Sequence, residues 1–258
     1  MLAVNVVGRW SVAVAIFSGA ACSKRPLALP AVDVKEAVSA ETEAVVPGQE
    51  GDPDALEVVP ATDAARDGAG LLAEAEHISS TMSGTSYSHR TRVEGGVYDV
   101  DCSGFVDYLL GRVSPAALGE LRGATVRRPL AKHFVQFLEA LPKSEHWQRV
   151  ARVSDLEPGD VVAWLKPVDV TSTNTGHVMV VAGRAERRAS GGFVVPIIDS
   201  SAAPHGKRDP RQRAGTTGIG RGEIVLEVDE SGAPLAYRWS SSKGSPRHET
   251  AIVLGRVR

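Results

Sequence analysis

Three residue types that together support nucleophilic catalysis stand at separate points in this chain of 258 residues: a cysteine, a histidine and an aspartate. Cys102 lies in the run YDVDCSGFV at 98–106, where an extended approach gives way to helical spacing. Unpaired N–H groups and the positive dipole end at the first turn of a helix favour thiolate over thiol, which predicts a reactive cysteine with a lowered pKa. The alternative is a small buried hydrophobic residue beside a turn glycine.

His177 is the histidine best placed to activate this thiol, since a nucleophilic cysteine needs a base. It opens the apolar run GHVMVV at 176–181, where a polar residue at a strand end can face a cleft. If 177–183 and 193–199 form a hairpin, Asp199 lies directly opposite His177, with Cβ atoms about 5 Å apart. The carboxylate would then hold the imidazole ring and stabilise its protonated form.

Each of these assignments has a structural alternative. A solvated histidine at a strand end is the alternative for His177, and a strand-end cap is the alternative for Asp199. A bulge of one residue would put the two side chains on opposite faces, so the prediction depends on the register. The polar residues that compete with Asp199 to orient the histidine are Ser200, Ser201 and His205.

The elements that must carry these residues are helices in the first part of the folded region and short strands in the second. Apolar residues at helical spacing predict helices beginning near Leu71 and at Cys102, and a third over about 129–141. Segments rich in β-branched and aromatic residues, separated by turns, predict strands over 160–165, 177–182, 193–198, 223–228, 235–239 and 251–257. Helices followed by a meandering antiparallel sheet indicate the α+β class.

The first 22 residues carry the features of a secretion signal. A single positive charge precedes an apolar stretch that is too short to span a bilayer as a helix, and the ending SGAAC at Cys22 resembles a bacterial lipobox. We therefore expect cleavage before Cys22 and a lipid on that cysteine; an ordinary signal peptide or a signal anchor is the alternative. A lipid there would leave Cys102 without a disulfide partner, whereas a disulfide between the two cysteines is the less economical use of both thiols.

Residues 23–68 have the composition of a disordered, acidic, Pro- and Ala-rich tether. They include no aromatic residue, and their ten acidic residues face only four basic ones. The predicted domain over 69–258 keeps 24 basic and 21 acidic residues, which is far short of a nucleic-acid footprint. We expect one domain of ordinary size, no nucleic-acid partner, and membrane contact through the N-terminal lipid.

Four motifs, taken in order, resemble the signatures of the NlpC/P60 cysteine peptidases. They are DCSGFV at 101–106, LEPGDVV at 156–162, GHV at 176–178 and IDS at 198–200, and the resemblance spans about residues 80–201. These proteins are papain-like bacterial hydrolases of peptidoglycan stem peptides. The resemblance implies a papain-like fold, with N-terminal helices packed on an antiparallel sheet, and a cysteine hydrolase without a cofactor.

By this resemblance, Cys102 is the nucleophile, His177 is the general base and then acid, and Asp199 is the third member of the triad. The implied reaction cleaves amide bonds of stem peptides through a thioester acyl-enzyme. The implied location is the bacterial cell envelope, where a lipid-anchored monomer would face the periplasm or the cell surface.

The resemblance also implies roles around the nucleophile. Tyr87, in the context GTSY at 84–87, matches the tyrosine that completes the oxyanion site, and Tyr98 is the fallback. Asp101 and Ser103 match residues that help bind the substrate, although an Asp and a Ser at a helix start also cap it.

Other functional interpretations stay open on the sequence. The same fold could serve an acyltransferase or an amidase acting on another substrate, or a wall-binding lipoprotein without turnover. The basic segment 204–213 could clamp carboxylates of a peptide or be a solvated loop. We expect no metal, because no tight ligand spacing is present, and no phosphate loop at GIGRG (218–222), which lacks the lysine.

Overall fold

The structure, a computed structural model, describes residues 68–141 and 143–258. The predicted signal peptide with Cys22, and the predicted tether up to residue 67, lie outside the described residues. Gly68, the last residue of the predicted tether, already belongs to the first helix.

The described part of the chain contains five α-helices. They are α1 (Gly68–Thr81), α2 (Cys102–Val113), α3 (Pro115–Arg122), α4 (Ala131–Ala140) and α5 (Pro210–Ala214), together with a 3₁₀ turn at Val153–Asp155. The three helices predicted from apolar spacing are confirmed as α1, α2 and α4. Helices α3 and α5 carry a weaker sequence signal, because they are only eight and five residues long.

The strands of the described part follow the predicted pattern in its second half. They are β1 (Gly84–Tyr87), β2 (Arg92–Glu94), β3 (Val97–Val100), β4 (Trp147–Val150), β5 (Val161–Leu165), β6 (Gly176–Val181), β7 (Glu186–Arg187), β8 (Phe193–Ser201), β9 (Gly218–Val228), β10 (Pro234–Arg238), β11 (Arg247–Glu249) and β12 (Ile252–Val257). All six predicted strands are confirmed, and β8 and β9 are longer than predicted.

Two sheets organise these strands. A nine-stranded antiparallel sheet has the order β11-β10-β9-β8-β6-β5-β12-β4, with β7 paired to β8. A three-stranded sheet has the order β1-β3-β2, in which β1 and β3 are parallel. The α+β class and the mainly antiparallel pairing are therefore confirmed. No helix of the described residues is both long and apolar enough to cross a membrane.

The core lies on both faces of the large sheet, because side chains alternate along a strand. On β6, Val178 and Val180 belong to a cluster with residues of α2 such as Phe105. Met179 on the same strand belongs to a second cluster, which includes Trp164 of β5. The start of α2 is thereby packed against the strand that carries His177.

The predicted pairing of β6 with β8 is wrong by two residues. Val180 pairs with Ile198 and Val181 with Ile197, so continuing that register puts Ser201, and not Asp199, opposite His177. A shift of two residues keeps every side chain on its predicted face, whereas a shift of one would reverse it. His177 and Asp199 therefore remain on one face as diagonal neighbours, within reach of each other.

The motif LEPGDVV at 156–162 has a structural role in this fold. Its Asp160 is 1% exposed, and both of its carboxylate oxygens accept hydrogen bonds from Arg256 of β12, at 2.8 and 2.9 Å. Gly159 has φ +95°, and a Cβ atom there would lie 1.8 Å from the carbonyl oxygen of Gly68. The motif thus joins the start of α1 to the large sheet.

We expect Gly159→Ala to lower the free energy of unfolding by about 3 kcal/mol, because it adds backbone strain and a steric clash. The matched control is Gly119→Ala in α3, where a Cβ atom meets nothing within 4 Å. Urea unfolding should show a large loss for the first variant and none for the control. Equal midpoints for both variants would contradict this packing.

Candidate active site

Cys102 is the first residue of α2, and Asp101 is its N-cap. The Asp101 carboxylate accepts hydrogen bonds from the Gly104 N–H at 2.7 Å and from the Ser103 hydroxyl at 3.0 Å. Asp is a preferred N-cap because its side chain satisfies N–H groups that have no helical partner. This cap explains why the run DCSG turns from strand to helix at the cysteine. The chain thus enters α2 directly from β3.

The Cys102 thiol is 5% exposed and forms no disulfide with any described residue. Burial, with a smaller contribution from the Asp101 carboxylate, raises its pKa to about 12. The backbone N–H groups of Val178 and Ser103 donate to the sulfur and act in the opposite direction. The expected lowered pKa is therefore wrong, because burial outweighs the helix end. The resting group is a thiol.

His177 and Asp199 form a direct pair. His177 Nε2 lies 2.6 Å from Asp199 Oδ2, and the two side chains are 8% and 0% exposed. Burial lowers the pKa of His177, although the hydrogen bond to Asp199 raises it. The imidazole is therefore neutral at pH 7. Since an ionised carboxylate only accepts hydrogen bonds, Nε2 carries the proton and Nδ1 keeps its lone pair.

Cys102 packs beside β6, the strand that carries His177. The backbone N–H of Val178, the residue after His177, donates a hydrogen bond to the thiol. Among the described residues no hydrogen bond joins the thiol to the imidazole ring, and such bonds are often long before a substrate binds. The two residues line separate cavities of about 250 Å³ each, which share Asn174 and Gly176.

Tyr87 lines the same cavity as Cys102. Its hydroxyl oxygen lies 3.4 Å from Nδ2 of Asn174. Burial raises the pKa of Tyr87, with a further contribution from Cys102, so the phenol stays protonated and can donate. Tyr98, the fallback for this role, instead packs edge to face on Tyr108 with ring centroids 5.8 Å apart. Of the two tyrosines, the structure brings Tyr87 to the thiol.

Asp101 and Ser103 also line the Cys102 cavity, but their polar atoms are largely used within the protein. Asp101 pairs with Arg128 at 2.5 Å and with the ring of His89 at 3.2 Å. Burial opposes ionisation of Asp101, yet the hydrogen bonds from Arg128 and Gly104 leave its pKa lowered. The carboxylate therefore stays charged, as a support for Arg128 and the helix start.

The histidine side of the site is aromatic. Its cavity is lined by His177 and by Trp164, Tyr237 and Trp239, among others. Trp164 and Tyr237 stack with centroids 4.1 Å apart, and the Trp239 ring lies 4.9 Å from His177. Aromatic rings therefore pack against one side of the His177 imidazole.

The basic segment 204–213 is partly the solvated loop that one prediction describes and partly buried. Arg211 is 4% exposed, and its guanidinium donates to Asp199 at 2.9 Å and to Asp209 at 2.7 Å. His205 Nε2 lies 2.8 Å from Asp199 Oδ2. Arg208, by contrast, is exposed and pairs with Glu223. The segment therefore folds under Asp199, which sequence spacing alone does not indicate.

His177, Asp199 and His205 also form a cluster whose ligand atoms all lie within 4.8 Å of one another. Ligands on a shared zinc ion at about 2.1 Å stand more than about 3 Å apart. Both imidazole nitrogens are instead within hydrogen-bond distance of one carboxylate oxygen, at 2.6 and 2.8 Å. The cationic Arg211 on the same carboxylate further disfavours a metal cation.

Comparison with known proteins gives one informative result. No family model and no solved structure matches the chain. The uncharacterized protein R653 of Acanthamoeba polyphaga mimivirus is 31% identical over 177 residues, which cover 61% of this chain and 77% of the viral protein. The chain belongs to the same family as that viral protein. The overlap takes in most of R653, so the two proteins share a domain and not only a short motif.

Proposed function

We propose that this protein is a papain-like cysteine hydrolase of the NlpC/P60 type that cleaves amide bonds. The observation that carries the proposal is the buried His177–Asp199 pair at 2.6 Å, on the strand whose next N–H meets the Cys102 thiol at the start of α2. A nucleophile, a base and an orienting group in that order are the requirements of cysteine catalysis.

In the proposed mechanism, the Cys102 thiol passes its proton to Nδ1 of His177 as the sulfur attacks the amide carbonyl carbon. The Cys102 N–H and the Tyr87 hydroxyl donate to the oxyanion that forms. The carbon–nitrogen bond then breaks, and Nδ1 returns the proton to the leaving amine. Water, deprotonated by His177, attacks the thioester, which releases the carboxylic acid and restores the thiol.

The neutral resting pair makes proton transfer part of the attack. Because the pKa of Cys102 is raised to about 12 and that of His177 is lowered, neither group is charged before a substrate binds. The Asp199 carboxylate stabilises the imidazolium as it appears, through Nε2. Asp199 in this scheme holds the ring and does not accept the proton.

The substrate class we propose is the peptide stem of peptidoglycan, cleaved by a monomer that a lipid on Cys22 would hold in the bacterial envelope. The Cys102 cavity suits a peptide, since it combines the charged Arg128 with the polar side chains of Asn174 and Thr175. The second candidate is an amidase or acyltransferase for an apolar substrate. The aromatic cavity beside His177 favours that candidate, because such walls bind apolar groups.

Incubation with purified peptidoglycan, free stem peptides and a series of fatty-acyl amides separates these candidates. Mass spectrometry should detect one new amine and one new carboxylic acid for each stem peptide cleaved. Turnover of the acyl amides alone would favour the second candidate. No product from any substrate, with the domain folded, would overturn the enzyme proposal and leave a wall-binding protein without turnover.

A further inference from the structure

Asp199 is surrounded by more hydrogen-bond donors than a catalytic triad contains. Its Oδ2 lies 2.6 Å from His177 Nε2 and 2.8 Å from His205 Nε2, and its Oδ1 accepts from Arg211 at 2.9 Å. The side chain of His205 is 0% exposed. A fifth residue, Asp209, accepts the backbone N–H of His205 at 2.8 Å. The cluster is therefore continuous and buried.

The hydrogen bonds of His205 define where its protons are. Its Nε2 faces the Asp199 carboxylate, whose pKa lies well below the usual value because His205 and His177 offset the cost of burial. Its Nδ1 lies 2.7 Å from the carbonyl oxygen of Trp239. A carboxylate and a carbonyl oxygen both only accept hydrogen bonds, so each ring nitrogen of His205 must donate.

The charges of the cluster lead to the same conclusion. Asp199 and Asp209 are both 0% exposed, and among the described residues Arg211 is the one guanidinium that bonds to both. Two buried carboxylates beside one cation would leave an unpaired negative charge, which is costly in a protein interior. A proton on each nitrogen of His205 supplies the second cation and balances the cluster.

The glycines of β9 make the space that these cations occupy. Gly220, which pairs with Asp199, has the Arg211 Nε 2.5 Å from where its Cβ atom would be. A Cβ atom at Gly222 would lie 2.5 Å from the Cβ of His205. Residues two apart share one face of a strand. The glycines of the run GIGRG at 218–222 therefore leave one face of β9 without side chains behind Asp199.

We propose that His205 is a positioning residue, a buried imidazolium that holds Asp199 with one N–H and the Trp239 carbonyl with the other, and so orients His177. The inference deepens the proposed function, because it turns the Cys-His-Asp triad into a four-residue relay. Stacking on Trp239, with centroids 4.1 Å apart, keeps the ring in this plane. The ring centroids of His205 and His177 are 6.0 Å apart, so the cation also disfavours premature protonation of the base.

Charged and titratable groups lie on both sides of the His205 ring. The titratable groups on its inner side are Asp199, His177 and Asp209, and Arg211 bonds to both carboxylates. On its outer side, it borders a surface cavity that is also lined by Glu186, Arg188, Lys207, Arg208 and Glu223. The carboxylate within hydrogen-bond distance of the ring is that of Asp199.

Nitrogen-15 NMR of the full chain tests the protonation directly and without turnover. At pH 7.5, both ring nitrogens of His205 should carry a proton, while His177 should show the single Nε2–H form. A His205 ring with one unprotonated nitrogen would overturn the proposal. Ring signals that change when a chelator removes a bound metal would also overturn it. Both outcomes are independent of whether any amide is cleaved, so failure here differs from failure of the proposed function.

His205→Gln tests the influence on the base. Loss of the cation should make His177 easier to protonate, which raises the midpoint of its ring titration by about one pH unit. Gly222→Ala, which displaces His205 without changing any charge, should move the midpoint in the same direction. The matched control His77→Gln, at an exposed position of α1, should leave it unchanged. An unmoved His177 midpoint in the folded His205→Gln variant would reject the positioning role.

Discussion

If the protein is the proposed hydrolase, Cys102→Ala should lower the rate of amide hydrolysis by at least ~10³-fold, because the substitution removes the nucleophile. The substitution removes one sulfur atom from the start of α2 and leaves the Asp101 cap intact, because that cap uses the Gly104 N–H and the Ser103 hydroxyl. The free energy of unfolding of the variant should therefore lie within about 1 kcal/mol of that of the parent. Product formation from the substrate that the parent cleaves is the measurement.

The matched control is Cys22→Ala, which removes the other of the chain's two cysteines. It should keep full activity on a soluble substrate, because the proposed mechanism uses only Cys102. His177→Ala should lose activity to a similar extent as Cys102→Ala, since the two residues act in one proton transfer. Unchanged hydrolysis by Cys102→Ala would show that another group carries the chemistry.

Asp199→Ala should lower the free energy of unfolding by ~3–5 kcal/mol at pH 7, the usual cost of breaking a buried ion pair from one side. The carboxylate is 0% exposed and touches His177, His205 and Arg211. Its removal leaves Arg211 without one of its two carboxylate partners in a buried setting. Urea unfolding measures this loss, and the slope of the free energy of unfolding against urea concentration should stay unchanged.

The stability that Asp199 contributes should decrease in acid. The folded pKa of Asp199 lies well below 3.8, so its contribution to stability is complete above the unfolded pKa of about 3.9 and declines as the pH falls through the folded value. The difference in stability between the parent and Asp199→Ala should therefore shrink as the pH falls below about 4. The control Asp169→Ala removes a carboxylate that is 64% exposed and should change stability by less than about 1 kcal/mol.

Much of the fold follows from local patterns. Apolar spacing located α1, α2 and α4, and β-branched segments located the six main strands, because those signals depend only on residues within one element. The DCSG run correctly placed the cysteine at a helix start, since Asp is a strong N-cap. The predicted face of Asp199 is also correct, because strand periodicity survives a register shift of two residues.

The register itself and the electrostatics could not be predicted in the same way. The pairing of β6 with β8 depends on the irregular connection between them, where the short β7 inserts. The raised pKa of Cys102 results from burial against β6, a property that neighbouring residues in the chain do not encode. The placement of Arg211 beneath Asp199 likewise depends on how the segment after β8 folds back.

The sequence by itself determined the residue types of the site, the helix start at Cys102 and the shared face of His177 and Asp199. Only the tertiary structure decided which residues surround them: Tyr87 at the thiol, and His205 and Arg211 on the carboxylate. The physical reason is the distance along the chain over which each interaction acts. Caps and periodicities act over a few residues, whereas burial, charge balance and the glycine surface of β9 arise when distant segments pack together.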